Sequence, residues 1–371
     1  MVTMVPHDGD DLHELEARLD PRLLRALDMV APGTPLREGI DSIIQSRTGG
    51  LILIADAEEV SFLFSGGIKL DIDYTPALLY QVAKMDGAIV LDAGINKIRW
   101  ANVQLMPDPT ILSMETGTRH RTAERVSKQT NALVVSISER RDVVSIYIEG
   151  MKCVLQDIPT VLSKANQGLA TLEKYRVRLD QLSARLTGLE FLGGCTLHDV
   201  LSVLQRAELV TRMAAEVERY IIELGTEGRL IEMQLEETVV GVIGDRAALV
   251  RDYIVVDTEE RIERAIAELA GLPHQELLDF GRLAELLGYD RKTSTLDFAV
   301  SPRGYRVLSG IPRLPRLVVQ KIVHRFGDLE AILHASEEEL ESVEGVGDAR
   351  AREIREGLRR LQEVDLVDRY P

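Results

Sequence analysis

Leu12, Leu15, Leu19, Leu23 and Leu27 recur at three- and four-residue intervals, and Leu36, Ile40 and Ile43 repeat that spacing. Both runs predict amphipathic helices. Short apolar runs follow, bounded by glycine or aspartate: 51–55 after Gly49-Gly50, 60–64 before Gly66-Gly67, 88–92 after Asp86-Gly87, then 98–105, 133–138 and 143–149. These predict strands. Residues 76–85, with Pro76 at a first helical position, and 122–130 predict helices between them. Strands interleaved with helices imply an α/β domain built on one central mixed sheet.

After residue 150 the pattern changes. Apolar residues at 162, 165, 169, 172, 179, 182, 186 and 189 keep a three-four spacing and predict one long amphipathic helix. Helices over 198–224 and around 229–254 extend this into an all-α spine. The tail states one theme twice. Leu308-Ser309-Gly310-Ile311-Pro312 precedes a helical run at 316–326, and Val343-Glu344-Gly345-Val346-Gly347 precedes another at 349–361. Connecting helices fall at 329–334 and 336–340, and Ser336 with Glu339 forms a capping box. The expected domains are therefore 1–150, 151–302 and 303–371, the last all-α.

With 371 residues the chain has room for several domains. Its formal charge of -16 excludes a global basic field that would draw it onto nucleic acid. The charge is unevenly spread: 15 Lys+Arg against 22 Asp+Glu in 1–150, 17 against 25 in 151–302, and 12 against 13 in 303–371. Two cysteines, Cys153 and Cys195, exclude a disulfide framework and a four-cysteine zinc site, and read as small buried hydrophobes. The acidic N-terminus lacks the pattern of a signal peptide, and no window reaches the roughly 18 uninterrupted apolar residues of a membrane span. The expectation is a soluble, cytoplasmic chain.

Two clusters in the first domain bear chemistry. Asp86-Gly87-Ala88 puts a carboxylate, a hard oxygen donor suited to magnesium, at the mouth of a strand beside a glycine that tolerates close approach. Gly117-Thr118-Arg119-His120-Arg121-Thr122, just before a helix, offers hydroxyls, guanidiniums and an imidazole to an oligophosphate. Taken alone, the first also fits a plain turn and the second a solvated helix start. In the tail, Val343–Ala351 has the helix-hairpin-helix pattern, in which Gly345 and Gly347 let amides face one phosphate while Arg350 and Arg352 add charge. Gly310 to Arg316 is a degenerate copy, with Pro312 in place of the second glycine. Such hairpins grip phosphodiester backbone rather than bases.

DGA at 86–88 with GTRHRTAER at 117–125 resembles the nucleotide-binding signature of diadenylate cyclase domains. With a helical spine and a helix-hairpin-helix tail, the whole chain resembles the bacterial DNA integrity scanning family. The resemblance implies condensation of two ATP into cyclic di-AMP and two pyrophosphates, with Mg2+ or Mn2+. It implies that Asp86 holds the metal and orients or deprotonates the 3′-hydroxyl. Thr118, Arg119, His120, Arg121 and Thr122 would grip phosphates, while Gly87, Leu105 and Ser138 would contact the nucleotide. It implies DNA contacts at Gly310, Arg316, Gly345, Gly347 and Arg350, a preference for branched double-stranded DNA that lowers cyclase activity, and a link to recombination and repair proteins. It also implies an octamer assembled from cyclase dimers. A two-fold product independently suggests an isologous dimer. The alternative is a non-enzymatic DNA-junction scaffold with a nucleotide-binding domain. A nuclease or ligase is disfavoured: no lysine motif for adenylation and no second carboxylate cluster are present.

Overall fold

A computed structural model describes residues 20–139 and 143–369. The leucines at 12, 15 and 19 lie outside them. The chain forms two compact units, one of Leu19–Leu169 with Glu216–Leu235, the other of Ala170–Ala215 with Glu236–Pro371.

The first unit holds one eight-stranded mixed sheet. In chain order its elements are α1 (Pro21–Met29), α2 (Pro35–Gln45), β1 (Gly50–Ile54), α3 (Ala57–Val60), β2 (Phe64–Ser65), β3 (Ile68–Asp73) and α4 (Pro76–Val82). These are followed by β4 (Ala88–Leu91), β5 (Lys97–Leu105), α5 (Thr118–Gln129), β6 (Leu133–Ile137), β7 (Val144–Ile148) and β8 (Met151–Leu155). The strands run in the order β2-β5-β4-β1-β6-β7-β8, with β3 also paired to β5. Only β1 and β4 are parallel neighbours, in register Leu51 to Ala88.

Strand alternation divides the core into two layers. Ile52, Ile54, Ile89, Leu91, Val135 and Ile137 face one way, onto α1, α2 and α4 through residues such as Leu27, Ile40 and Leu79. Leu51, Leu53, Val90, Val103, Val134 and Tyr147 face the other, onto Ala123 and Val126 of α5. The three helices of the first layer begin alike, with an oxygen-bearing cap followed by proline: Asp20-Pro21, Thr34-Pro35 and Thr75-Pro76. Each cap side chain accepts an amide hydrogen bond from the first turn, 2.9 Å from Arg22, 3.2 Å from Arg37 and 3.2 Å from Leu78.

Three expectations need correction. The run at 60–64 is not a strand. Asp56 starts α3, Glu58 and Glu59 fill its first turn, and a 3-10 turn over Ser61–Leu63 buries Val60 and Leu63. The helix expected from 122 begins at Thr118, so the Thr118–Thr122 cluster is its first turn rather than the approach to it. The helix expected around 229–254 is two, α8 (Arg229–Val239) and α9 (Val242–Tyr253), broken at Gly241, whose φ of 79° is left-handed.

The long helices α6 (Ile158–Leu192) and α7 (Leu197–Leu224) confirm the spine pattern, and α10 (Glu259–Gly271), α11 (His274–Leu277) and α12 (Phe280–Leu287) follow α9. The tail comprises α13 (Tyr305–Ser309), α14 (Arg316–Phe326), α15 (Leu329–His334), α16 (Glu337–Glu341) and α17 (Asp348–Arg369) around its own apolar core. The Ser336–Glu339 capping box is formed. Cys195 is buried, whereas Cys153 is only half-buried. Among the described residues no helix is long and apolar enough to cross a membrane.

Candidate nucleotide site and DNA interface

Register brings the dispersed residues of the first domain to one end of its sheet. Asp86 and Gly87 lead into β4, and Gly49 leads into its parallel neighbour β1. Strand β6 is antiparallel to β1 with Gly50 opposite Ile137, so Ser138 leaves the sheet at that same end. Strand β5 is antiparallel to β4 with Ala88 opposite Val103, which puts Leu105 there too. Four chain segments thus converge, although they are up to 89 residues apart between Gly49 and Ser138.

Asp86 is exposed at this edge. Gly87 is confined by the protein itself: its φ is +90°, and a Cβ there would lie 2.9 Å from both the Asn102 carbonyl carbon and the Val103 oxygen. The group that approaches Gly87 is therefore the backbone of β5. Its glycine fixes the direction in which Asp86 leaves the sheet. The Leu105 side chain is buried in the layer beneath α5, so any contact of this residue with a base runs through its backbone.

Helix α5 supplies the cationic side. Gly117 caps it without a side-chain acceptor, leaving the positive end of the helix uncompensated by its cap. Thr118 and Arg121 are exposed, while Arg119, His120 and Thr122 are half-buried. Arg119 reaches the sheet end. Its Nη1 lies 2.0 Å from where a Cβ on Gly49 would stand and 3.8 Å from Glu139 Oε2. His120 turns the other way, with Nδ1 3.0 Å from the Tyr147 hydroxyl. Arg121 donates to the Glu115 carbonyl at 3.3 Å and the Thr116 carbonyl at 3.4 Å.

The last residues of the GTRHRTAER run hold the loop that precedes the helix. Buried Glu124 accepts from the Ser113 hydroxyl at 2.5 Å and the Met114 amide at 3.1 Å, and Arg125 donates to the Ile111 carbonyl at 2.9 Å. Lys128 donates to the Leu112 carbonyl at 2.9 Å and to Glu124 at 2.6 Å. The motif therefore mixes residues gathered at the helix start and the sheet end with residues that fix the loop. Sequence reading missed Gly49, Glu115 and Tyr147. Gly49 read as a turn and Tyr147 as an ordinary strand residue, and only their placement gives either a role.

The tail hairpins differ from each other. Gly345 has φ +92°, which demands glycine. Gly347 has neither a left-handed φ nor any atom within 4 Å of a would-be Cβ, so nothing inside the protein requires glycine there. Arg350 is bound to the Gly345 carbonyl and Arg352 to Asp348, while Lys321 pairs with Glu344 at 2.9 Å across the two hairpins. Residues 303–335 carry six basic and two acidic side chains, and 336–371 carry six and eleven. Within the first set Arg306 is buried against Glu190, and Arg303 donates to the carbonyls of Asp252 at 2.9 Å and Ile254 at 2.7 Å. Arg313, Arg316 and Arg325 are exposed and make no ion pair with the described residues. The degenerate hairpin at Gly310–Arg316 is thus the more electropositive of the two.

Three family models cover the chain in sequence. The DisA bacterial checkpoint controller nucleotide-binding model matches residues 37–152, the DisA linker model 155–296, and the helix-hairpin-helix motif model 306–367. The DNA integrity scanning protein DisA of Carboxydothermus hydrogenoformans is 51% identical over 93% of this chain and 98% of its own length. That of Streptomyces coelicolor is 47% identical over 94% of both chains. Among solved structures, DacA from Staphylococcus aureus aligns at 22% identity over 40% of this chain and 91% of that one, with a TM-score of 0.26. With a nucleotide-binding domain, linker and helix-hairpin-helix motif in this order, the chain belongs to the DNA integrity scanning protein DisA family, and its first domain is a diadenylate cyclase.

Proposed function

We propose that the sheet end carrying Asp86 and Arg119 holds one ATP, and that two copies of the chain face each other so that their nucleotides condense into cyclic di-AMP. The convergence of Asp86, Ser138 and the Gly49-seated Arg119 on one edge carries this reading. Each 3′-hydroxyl oxygen bonds to the α-phosphorus of the other nucleotide, the bond to pyrophosphate breaks, and the hydroxyl proton leaves toward Asp86. Thr118, Arg119, His120, Arg121 and Thr122 hold and neutralise the triphosphate, with Gly87, the Leu105 backbone and Ser138 positioning the nucleoside.

Among the described residues no group of three or more His, Cys, Asp or Glu is gathered for a metal. One exposed carboxylate supplemented by substrate phosphates is nevertheless a donor set that suits Mg2+ or Mn2+, and Asp86 would hold it. A cation bound there would offset phosphate charge and acidify the attacking hydroxyl.

The exposure of the site supports a facing copy. Asp86, Thr118 and Arg121 lie open to solvent, and Met85, Met106, Leu112 and Met114, close in sequence to Asp86, Leu105 and Glu115, are exposed apolar side chains. Burying both sets against a second copy would exclude water from the reaction. We further propose that the functional division is 1–150, 151–302 and 303–371, and that dimers join into an octamer through the helical segment. In this reading the hairpins engage branched DNA and thereby lower cyclase activity, in concert with recombination and repair proteins. Since ATP and chromosomal DNA share the bacterial cytoplasm, so would this chain.

Mass spectrometry of the product from ATP and magnesium tests the reading. Cyclic di-AMP is expected, and Asp86→Asn should abolish it. ATP binding without pyrophosphate release at any metal concentration would instead favour a DNA-junction scaffold.

A further inference from the structure

We infer that Tyr147 and Glu115 are positioning residues that hold the His120 imidazole with its proton on Nδ1. The inference rests on reading the sheet end as the nucleotide site.

Tyr147 lies on β7, its ring fully buried in the layer under α5. Its hydroxyl is the one polar atom of that ring. It lies 3.0 Å from His120 Nδ1 and 3.1 Å from Glu115 Oε1, and the Ser145 hydroxyl on the same strand also donates toward it, which leaves the phenol proton free for another partner. The state of each partner follows from its surroundings. Lys152, on β8, donates to Glu115 Oε1 at 2.6 Å and holds that carboxyl below its ordinary range, with the Tyr147 hydrogen bond assisting against burial. Glu115 is therefore an acceptor. Burial, reinforced by the Glu115 charge, pushes the Tyr147 phenol above its ordinary range, so it keeps its proton.

A phenol has one proton to give. With Glu115 accepting it, the same oxygen can only accept from the imidazole, and the donor must be Nδ1–H. Any contact of His120 with nucleotide then runs through Nε2. The same Glu115 also serves Arg121, whose guanidinium is held by its carbonyl. One loop residue thus orients two members of the Arg-His-Arg cluster, one through its side chain and one through its backbone. The logic parallels the outer partners that fix a ligating histidine's tautomer.

The test uses the full chain. Steady-state cyclic di-AMP formation is compared for Tyr147→Phe, Glu115→Gln, His120→Ala and the Tyr147→Phe/His120→Ala double variant. Tyr147→Phe keeps the buried ring and should lower kcat/KM about tenfold in the native background. It should cost nothing further once His120 is alanine. In solid-state 15N spectra of histidine-labelled protein, the resonance that vanishes in His120→Ala should report Nδ1–H in the native chain and lose that signature in Tyr147→Phe. Equal losses in both backgrounds, or an unchanged tautomer, would overturn the relay. If His120→Ala itself leaves activity intact, the nucleotide-site reading fails, while the spectra still decide the tautomer.

Discussion

The guanidinium of Arg119 occupies the space that any side chain at Gly49 would need, since a Cβ there would fall 2.0 Å from Nη1 and 3.0 Å from Cζ. Gly49 has no left-handed φ to satisfy, so its missing side chain is explained by this seat and by the Ile137 carbonyl 3.1 Å away. The seat lies at the entrance to β1, the strand next to the one that Asp86 precedes.

Gly49→Ala should therefore displace the far end of the Arg119 side chain and press on the Ile137 carbonyl, at a modest cost to stability. Cyclase activity should nonetheless fall by roughly 100-fold, because a misplaced phosphate ligand costs that order. Arg119→Ala should lose as much, and the double variant no more. Melting temperature and product formation measured together check this. Additive losses would show that Gly49 acts by another route.

The tail gives a second prediction, on salt. Arg316 is exposed without an ion pair among the described residues, whereas Arg350 is bound to the Gly345 carbonyl. Fluorescence anisotropy with junction DNA should show Arg316→Ala weakening binding alike on different sequences and lowering the log-log salt slope by about 1. Arg350→Ala should weaken binding by loosening the hairpin, with a smaller change in slope. The reverse ranking would return the main phosphate contact to the second hairpin. Point variants suit this test better than deleting 303–371. That deletion would strip Glu190 of Arg306 and Asp252 of the amides of Gly304, Tyr305 and Arg306.

Asp252 yields a pH prediction. Burial pushes its carboxyl up to about 7 and the nearby Glu190 charge adds to this, against the lowering by the Arg306 and Tyr305 amides. Unfolded, it titrates near the ordinary 3.8. The folded state therefore binds the proton more tightly. The resulting stability is full below the unfolded value and is lost as pH rises through about 7. Asp252→Asn has no such proton to lose. The advantage of the native chain over the variant in thermal unfolding should shrink between about pH 5 and pH 8, by at most about 1.4 kcal/mol per pH unit. A widening gap would refute the assignment.

Much of this molecule was legible in its residues. Continuous apolar runs bounded by turn residues marked β1, β4, β6 and β7, and the Asp86 and Arg119–Arg121 clusters were visible because charged residues stand beside glycine between such runs. The short segment at 60–64 misled because Val60 and Leu63 are buried from a helix and a 3-10 turn rather than from a strand. Periodicity cannot separate those over five residues. Strand β3 was hidden by its polar face, Lys69, Asp71 and Asp73. Tyr147 and Gly49 had no signal of their own. What they do depends on α5 crossing over β6 and β7, a tertiary fact that local sequence does not encode.

The facing of two nucleotide sites is tested most directly by cyclic di-AMP formation across a subunit dilution series, with light scattering on the same samples. The rate per subunit should fall in step with the loss of dimers and vanish for monomers. Undiminished synthesis by a purely monomeric sample would contradict the account.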